Sequence, residues 1–138
     1  FRYEIIYFYN VYGPGQIKKG PMATVIGIFE DQFKKKKPLT IVKPGSQSRR
    51  FTHVFDTVEA CYFAWKKNMR QHYSVSHKKS YTIVEVAKLF KGKVKFLPAR
   101  RGERYASALT NLNLSNKVYQ IFGKINLREY VENIVKNS

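Results

Sequence analysis

Short apolar runs alternate with helix-spaced apolar faces along the chain, and this pattern predicts strands and helices in turn. The first run, residues 3–9, is rich in aromatic and β-branched residues and predicts a strand that stops at Asn10. Gly13-Pro14-Gly15 follows and predicts a turn. Because ligands of open α/β sheets bind just outside the carboxyl ends of strands, the Asn10 amide is a candidate ligand contact.

The next segments predict a helix, two short strands and a second helix. The first helix ends at the lysines 34–37 and Pro38, and its apolar face consists of Val25, Ile28, Phe29 and Phe33. Residues 39–42 and 51–54 predict the strands. Asp56, with Glu59 three residues later, predicts the N-cap of the second helix. The face expected to be buried there consists of Val58, Cys61, Tyr62 and Trp65.

The alternation continues to the end of the chain. Residues 73–75 and 93–96 predict strands, and Thr82 with Glu85 predicts a capped helix between them. Loops are expected at 76–81 and 98–104. Further helices are predicted from a cap at Ser115 to Gly123, and after a cap at Asn126. The chain therefore belongs to the α/β or α+β class.

Length and cysteine content narrow the class of protein. The 138 residues fit one domain or part of one. The single cysteine, Cys61, excludes an internal disulfide and fits a cytoplasmic location. No apolar run is long enough to cross a bilayer, so no membrane partner is expected. Because the chain begins at Phe1 inside a strand-like run, we expect an N-terminal portion to be missing.

The net charge of +17 leaves three explanations open. The chain could bind nucleic acid, it could bind a phosphate-bearing substrate, or its lysines could simply cover solvated faces. We favour the last, with a few arginines binding phosphate. The candidates are Arg49 and Arg50 between two strands, and Arg100 and Arg101 in a loop before Glu103. Arginine forks match phosphate oxygens two at a time, and Glu103 could accept from ribose hydroxyls, although ordinary surface arginines are the simpler interpretation of the spacing.

Several apparent motifs do not fit their usual chemistry. The glycines from Gly13 to Gly20 lack the spacing of a dinucleotide fingerprint or a P-loop. Tyr62 and Lys66 have the spacing of a Tyr-x-x-x-Lys pair, but Tyr62 lies on the predicted buried face, so core packing is preferred. The three histidines lack metal-ligand spacing, and no metal site is expected.

Five segments in the same order resemble the extended short-chain dehydrogenases/reductases, the NAD-dependent epimerases and dehydratases of nucleotide sugars. Residues 7–16 resemble the family's Arg-Tyr-Phe-Asn-Val-Tyr-Gly-Pro segment, and residues 38–41 its Pro-Leu-Thr-Ile strand. Residues 47–56 resemble Gln-Thr-Arg-Asp-Phe-Val-Tyr-Val-Asp-Asp. Residues 82–85 and 100–103 resemble the Ser-Ile-x-Glu helix start and the Arg-Pro-Gly-Asp loop.

The resemblance implies roles for the matched positions. Asn10 would contact the phosphate or sugar of a nucleotide sugar, and Phe8 and Tyr9 would approach the nicotinamide of NAD. Arg49 and Arg100 would bind the diphosphate, and Glu103 the ribose. The residues implied to line the base pocket are Val25, Ile26, Leu39, Thr40, Ile41 and Val42. No catalytic residue is expected within the chain, because the family's glycine-rich NAD loop and its Tyr-x-x-x-Lys pair precede the Asn10 strand.

The departures from the family leave base and sugar open. Arg50 replaces the usual Asp, Phe55 replaces the first Asp of a pair, and 74–76 is Ser-Val-Ser where Asn-Ile-Gly is common. The resemblance favours a UDP-hexose 4-epimerase. A dTDP- or GDP-sugar dehydratase and a UDP-glucuronate decarboxylase are the alternatives within the family. A basic nucleic-acid-binding module is the alternative from another class, although nucleic acid is not among the partners we favour.

The implied architecture is the mixed α+β substrate-binding subdomain of an extended Rossmann-type enzyme. Residues 1–138 would form the C-terminal nucleotide-sugar-binding region, and the strand in 1–10 would belong to the parallel sheet of an N-terminal NAD-binding domain. That domain and the nucleotide sugar are the expected partners, and an unpaired strand edge also allows a homodimer. The chain alone is expected to bind substrate without catalysing the reaction.

Overall fold

Strands and helices alternate in the computed structural model, which describes residues 3–99, 101–102 and 118–138. The described elements are β1 (Ile5–Phe8), β2 (Val11–Tyr12), α1 (Val25–Lys34), β3 (Leu39–Val42), β4 (Ser48–Arg50), β5 (Thr52–His53), α2 (Val54–Lys67), β6 (His72–His77), β7 (Ser80–Thr82), α3 (Ile83–Leu89), β8 (Val94–Leu97), β9 (Val118–Gly123) and α4 (Leu127–Lys136). The predicted α/β class is confirmed.

The largest sheet of the described residues is parallel and has the strand order β1-β6-β9. Its register pairs Ile5 with His72 and Phe8 with Val75. The pairs β2–β5 and β3–β8 are also parallel, whereas β4–β7 is antiparallel. β1 lies at the sheet edge, so one side of its backbone has no strand partner among the described residues.

The core lies where α1, α3 and α4 cover the β3–β8 pair. Phe29 of α1 and Phe90 after α3 meet edge to face, with their ring centroids 6.0 Å apart. Leu39 and Ile41 of β3 lie beneath them and have no exposed surface. This packing fixes the position of β3 and of the amino end of α1, which both border the site described below.

Two predicted helix starts are confirmed. Thr82 caps α3, where its hydroxyl accepts from the Glu85 backbone N–H at 3.1 Å and the Glu85 carboxylate accepts from the Thr82 N–H at 2.7 Å. Asn126 caps α4 through its side-chain oxygen and the Arg128 N–H. Each cap satisfies backbone donors that have no partner within the first helical turn.

The predicted N-cap at Asp56 is wrong, because α2 begins at Val54 and its N-cap is His53. The His53 ring accepts from the Phe55 N–H at 3.2 Å, and burial holds the pKa of His53 below its ordinary value, which favours the neutral ring. Asp56 instead lies in the first turn. Its buried carboxylate accepts from the backbone N–H groups of Lys124 and Ile125, each at 3.1 Å.

The predicted buried face of α2 is also wrong. Val58, Tyr62 and Trp65 are between 58% and 72% exposed, and Cys61 is exposed as well. The buried side of α2 consists of Asp56, Thr57, Ala60 and Ala64. Small side chains let the helix backbone approach the sheet closely, so the large apolar residues remain on the outside.

The helix predicted from Ser115 to Gly123 is wrong over its described part. Residues Val118–Gly123 form β9, which pairs in parallel with β6 from His72↔Val118 to His77↔Gly123, while Ser115 lies outside the described residues. Valine, tyrosine, isoleucine and phenylalanine are good strand formers, and the edge of β6 provides a ladder for them. β6 itself extends two residues further than predicted, so the expected loop 76–81 is shortened.

Glu30 of α1 is a buried carboxylate that holds two lysines. It accepts from Lys18 at 2.9 Å and from Lys34 at 2.8 Å. Burial opposes its ionisation, but the hydrogen bonds from the two lysines hold the pKa of Glu30 below its ordinary value. The unfolded chain therefore binds the proton more tightly, and this carboxylate stabilises the fold at neutral pH.

The Glu30→Gln variant is expected to lose about 1 kcal/mol of unfolding free energy at pH 7. The difference from the parent should shrink as the pH falls below the ordinary carboxyl pKa and vanish once Glu30 is protonated in the folded chain, because the lysines then have no charge to bind. Urea melts between pH 3 and pH 7 measure this. The control is Asp31→Asn, whose exposed ion pair with Lys35 should contribute less. A Glu30 difference that stays constant with pH would contradict the account.

Candidate functional site

A cavity of about 380 Å³ opens at the carboxyl ends of β3 and β8. It is bordered by the end of β1, the amino end of α1 and strand β4. Its lining residues are Asn10, Val11, Ala23, Thr24, Val25, Ile26, Ile28, Phe29, Thr40, Val42, Gln47, Arg49, Phe51, Ile83 and Leu97. The structure thus brings together residues from across the first 97 positions of the chain.

One wall of the cavity is apolar and comes mainly from α1. Val25 and Ile26, two of the predicted base-pocket residues, stand here beside Ile28 and Phe29. Thr24 caps the helix, with its hydroxyl accepting from the Gly27 N–H at 3.0 Å. Because α1 begins at the cavity, the positive end of its dipole borders the site, which favours an anionic ligand.

The alternation of β3 divides the four predicted pocket residues of that strand. Thr40 and Val42 line the cavity. Leu39 and Ile41 point the other way, have no exposed surface and pack in the core, so the structure does not place them at the cavity. The Thr40 hydroxyl accepts from the Gln32 amide at 2.8 Å, which orients it along the wall.

Asn10 lies at the rim, where β1 ends. Its φ of +43° is in the left-handed region, which asparagine tolerates better than most residues. The side-chain amide donates to the Arg50 carbonyl at 2.9 Å and so links the end of β1 to β4. The Thr52 hydroxyl adds a second link by donating to the Tyr9 carbonyl at 2.9 Å.

Arg49 is the one charged side chain among the described residues that line the cavity. It lies in the middle of β4, opposite Tyr81 of β7. One guanidinium nitrogen donates to the Ser48 carbonyl at 2.8 Å. Arg50 follows on the same strand but does not line the cavity, as expected from the alternation of side chains in a strand.

Four other predicted site residues lie elsewhere. Arg100 and Glu103 are outside the described residues. Phe8 is 44% exposed at the carboxyl end of β1, and Tyr9 is half-buried beside it. Neither lines the cavity.

The sequence interpretation missed Thr24, Gln47, Phe51 and Ile83 as lining residues. Thr24 could have been found, because a threonine before an apolar helix face is a capping signal. The other three are brought to the cavity by tertiary packing, which no local pattern announces. The described residues hold no group of three His, Cys, Asp or Glu side chains that could bind a metal. They also include no helix that is both long and apolar enough to cross a membrane.

Parallel strands, crossover helices and a pocket at the strand ends define a Rossmann-type α/β protein. The NAD dependent epimerase/dehydratase family matches residues 1–76, which is more than half of the 138 residues. The chain belongs to this family.

Relatives of known sequence or structure agree with that assignment. A Methanocaldococcus jannaschii protein named "Putative UDP-glucose 4-epimerase" is 30% identical over 141 residues, which cover 96% of this chain and 44% of that protein. The Thermotoga maritima UDP-glucose 4-epimerase, solved with UDP-glucose, superposes with a TM-score of 0.77 at 23% identity, over 97% of this chain and 45% of that one. The Methanobrevibacter ruminantium UDP-N-acetylglucosamine 4-epimerase gives 0.79 at 24%, over 98% and 45%. The chain spans about half the length of these relatives.

Proposed function

We propose that the cavity binds the nucleotide portion of a nucleotide sugar, and that the chain is the substrate-binding portion of an NAD-dependent UDP-hexose 4-epimerase. The observation that carries the proposal is the composition of the cavity. An apolar slot wide enough for a base leads to a single cationic side chain, Arg49, and to the Asn10 amide at the rim. The related M. jannaschii protein and the solved T. maritima epimerase support UDP-glucose as the first substrate to test.

Each part of the ligand has a matching group in this proposal. The base would lie between the α1 wall and β3, where Val25 and Val42 exclude water. The diphosphate would lie near the amino end of α1 and accept from the Arg49 fork, with Arg100 as the proposed second contact. Asn10 would contact the phosphate or sugar, and Glu103 the ribose.

The cofactor is proposed to lie beyond the end of β1. Phe8 and Tyr9 would contact the nicotinamide, and the exposure of Phe8 supports this placement. NAD would supply a reversible hydride acceptor for the sugar. The remaining contacts are proposed to come from a Rossmann portion that adds strands to the open edge of β1, and the exposed apolar side of α2 supports such a neighbour. The same surfaces also allow a homodimer.

A calorimetric titration of the chain with UDP-glucose tests the proposal. Saturable binding that changes little between 50 and 200 mM salt is expected to follow from a mainly enclosed site, as judged on the counterion-release scale. GDP-glucose, dTDP-glucose and UDP-glucuronate, titrated in parallel, separate the alternatives within the family. With NAD added, the chain alone is expected to form no UDP-galactose.

A single-stranded oligonucleotide is the second titrant, because a net charge of +17 also fits nucleic-acid binding. Oligonucleotide binding with a steep salt dependence, together with no UDP-glucose binding at millimolar concentration, would overturn the proposed function. It would favour a basic nucleic-acid-binding module instead.

A further inference from the structure

Gln47, between β3 and β4, carries a buried carbonyl oxygen with no partner. The residue is 2% exposed and lines the cavity. Its backbone oxygen accepts from the Ile83 N–H at 3.2 Å, and its side-chain Nε2 donates to the Val42 carbonyl at 3.2 Å. Its Oε1 is buried without any hydrogen bond in the described structure. An acceptor removed from water without a partner is costly, so a partner for Oε1 is expected in the working protein.

The other polar side chains deep in the cavity already have partners. The Thr24 hydroxyl donates to Gln16 Oε1 at 2.8 Å and accepts from the Gly27 N–H. The Thr40 hydroxyl accepts from Gln32. A ligand base that enters the slot therefore meets one buried acceptor of the described residues that is not already used, the Gln47 carbonyl oxygen.

The orientation of the Gln47 amide is fixed by its own contacts. The Val42 carbonyl can only accept, so it requires the NH₂ end of the amide. A flipped amide would place two carbonyl oxygens together and leave both without donors. The free atom is therefore an acceptor, and its preferred partner carries an N–H.

We infer that Gln47 Oε1 accepts the imide N3–H of a uracil ring and so selects the base. The inference rests on the proposed function and adds the residue that reads the base. Uracil presents this N–H between two carbonyl groups, whereas cytosine presents an acceptor at the same ring position. Two facing acceptors repel, so the site rejects cytosine by leaving Oε1 unpaired. Thymine shares the imide, and its additional methyl group has to be accommodated by the apolar walls.

The test compares UDP with its 3-methyl derivative, in which the N3–H is replaced. For the unmodified chain, we expect 3-methyl-UDP and CDP to bind at least about 10-fold more weakly than UDP, the usual effect of one buried hydrogen bond. For Gln47→Met, which keeps the side-chain length but removes the acceptor, UDP should bind about 10-fold more weakly, and the preference for UDP over 3-methyl-UDP should shrink toward the purely steric part. Gln120→Met is the control, because Gln120 donates to the Ser74 carbonyl far from the cavity.

The outcomes separate this inference from the proposed function. Equal binding of UDP and 3-methyl-UDP by the unmodified chain overturns the inference alone, as does an unchanged preference in the Gln47→Met variant. Failure of the chain to bind UDP at all overturns the proposed function and the inference together. If Gln47→Met does not fold, the comparison of the two ligands with the unmodified chain still decides, because it needs no substitution.

Discussion

Replacing Arg49 with alanine is expected to weaken the binding of UDP-glucose about 100-fold, since two charge-assisted hydrogen bonds to a diphosphate are together worth about 3 kcal/mol. Arg49 is the one charged side chain among the described residues around the cavity, so no neighbour in that set can replace it. Arg49→Lys keeps the charge but loses the planar fork, and it should recover only part of the affinity. Calorimetric titration of each variant measures the change.

Arg50 provides a matched control for that prediction. It is the next residue of β4, has the same charge and does not line the cavity. Arg50→Ala should therefore leave UDP-glucose affinity within about twofold, as is usual for a surface substitution. An equal loss in both variants would mean that overall positive charge, and not the Arg49 fork, attracts the ligand.

Replacing Asp56 with alanine is expected to lower the unfolding free energy by about 3 kcal/mol, because two backbone N–H groups lose a buried ionised acceptor. The Asp56 carboxylate joins the first turn of α2 to the segment after β9 through Lys124 and Ile125. Gly123 leaves the space for this contact, because a Cβ at that position would lie 2.7 Å from the Asp56 Oδ2. Chemical denaturation followed by circular dichroism measures the loss.

Two further substitutions test the cause of that loss. Asp56→Asn keeps one acceptor oxygen, so it should cost about half as much as alanine. Glu59 lies one turn further along α2 with an exposed side chain, and Glu59→Ala should change stability by less than about 0.5 kcal/mol. A small effect of Asp56→Ala, similar to that of Glu59→Ala, would show that the contact with 124–125 does not hold the sheet and helix together.

Elements with strong local signals could be predicted from the sequence. The apolar spacing of α1, the lysines and Pro38 after it, and the Thr82 and Asn126 caps are properties of neighbouring residues, and the structure confirms them. The resemblance to the family also led to Asn10, Val25, Ile26, Thr40, Val42 and Arg49, which the structure brings to one cavity.

The remaining features depend on contacts between distant segments. Periodicity found an apolar side of α2, but it could not show that Ala60 and Ala64 pack on the sheet while Tyr62 and Trp65 face outward. The strand β9 exists because β6 offers it an edge, which residues 118–123 do not announce by themselves. The packing of β3 decides that Leu39 and Ile41 enter the core, and the Gln47 carbonyl gains its meaning only from the partners that surround it.

The central claim is that the cavity between α1, β3 and β4 holds a uridine diphosphate sugar. Proton–nitrogen correlation spectra of the labelled chain, recorded during a UDP-glucose titration, test it most directly. The account predicts that the shifted amides cluster at residues 23–29, 40–42 and 47–49, which border the cavity. Shifts confined to the lysine-rich surface around residues 34–37 and 93 would contradict it, because they would assign the ligand to general electrostatic attraction away from the cavity.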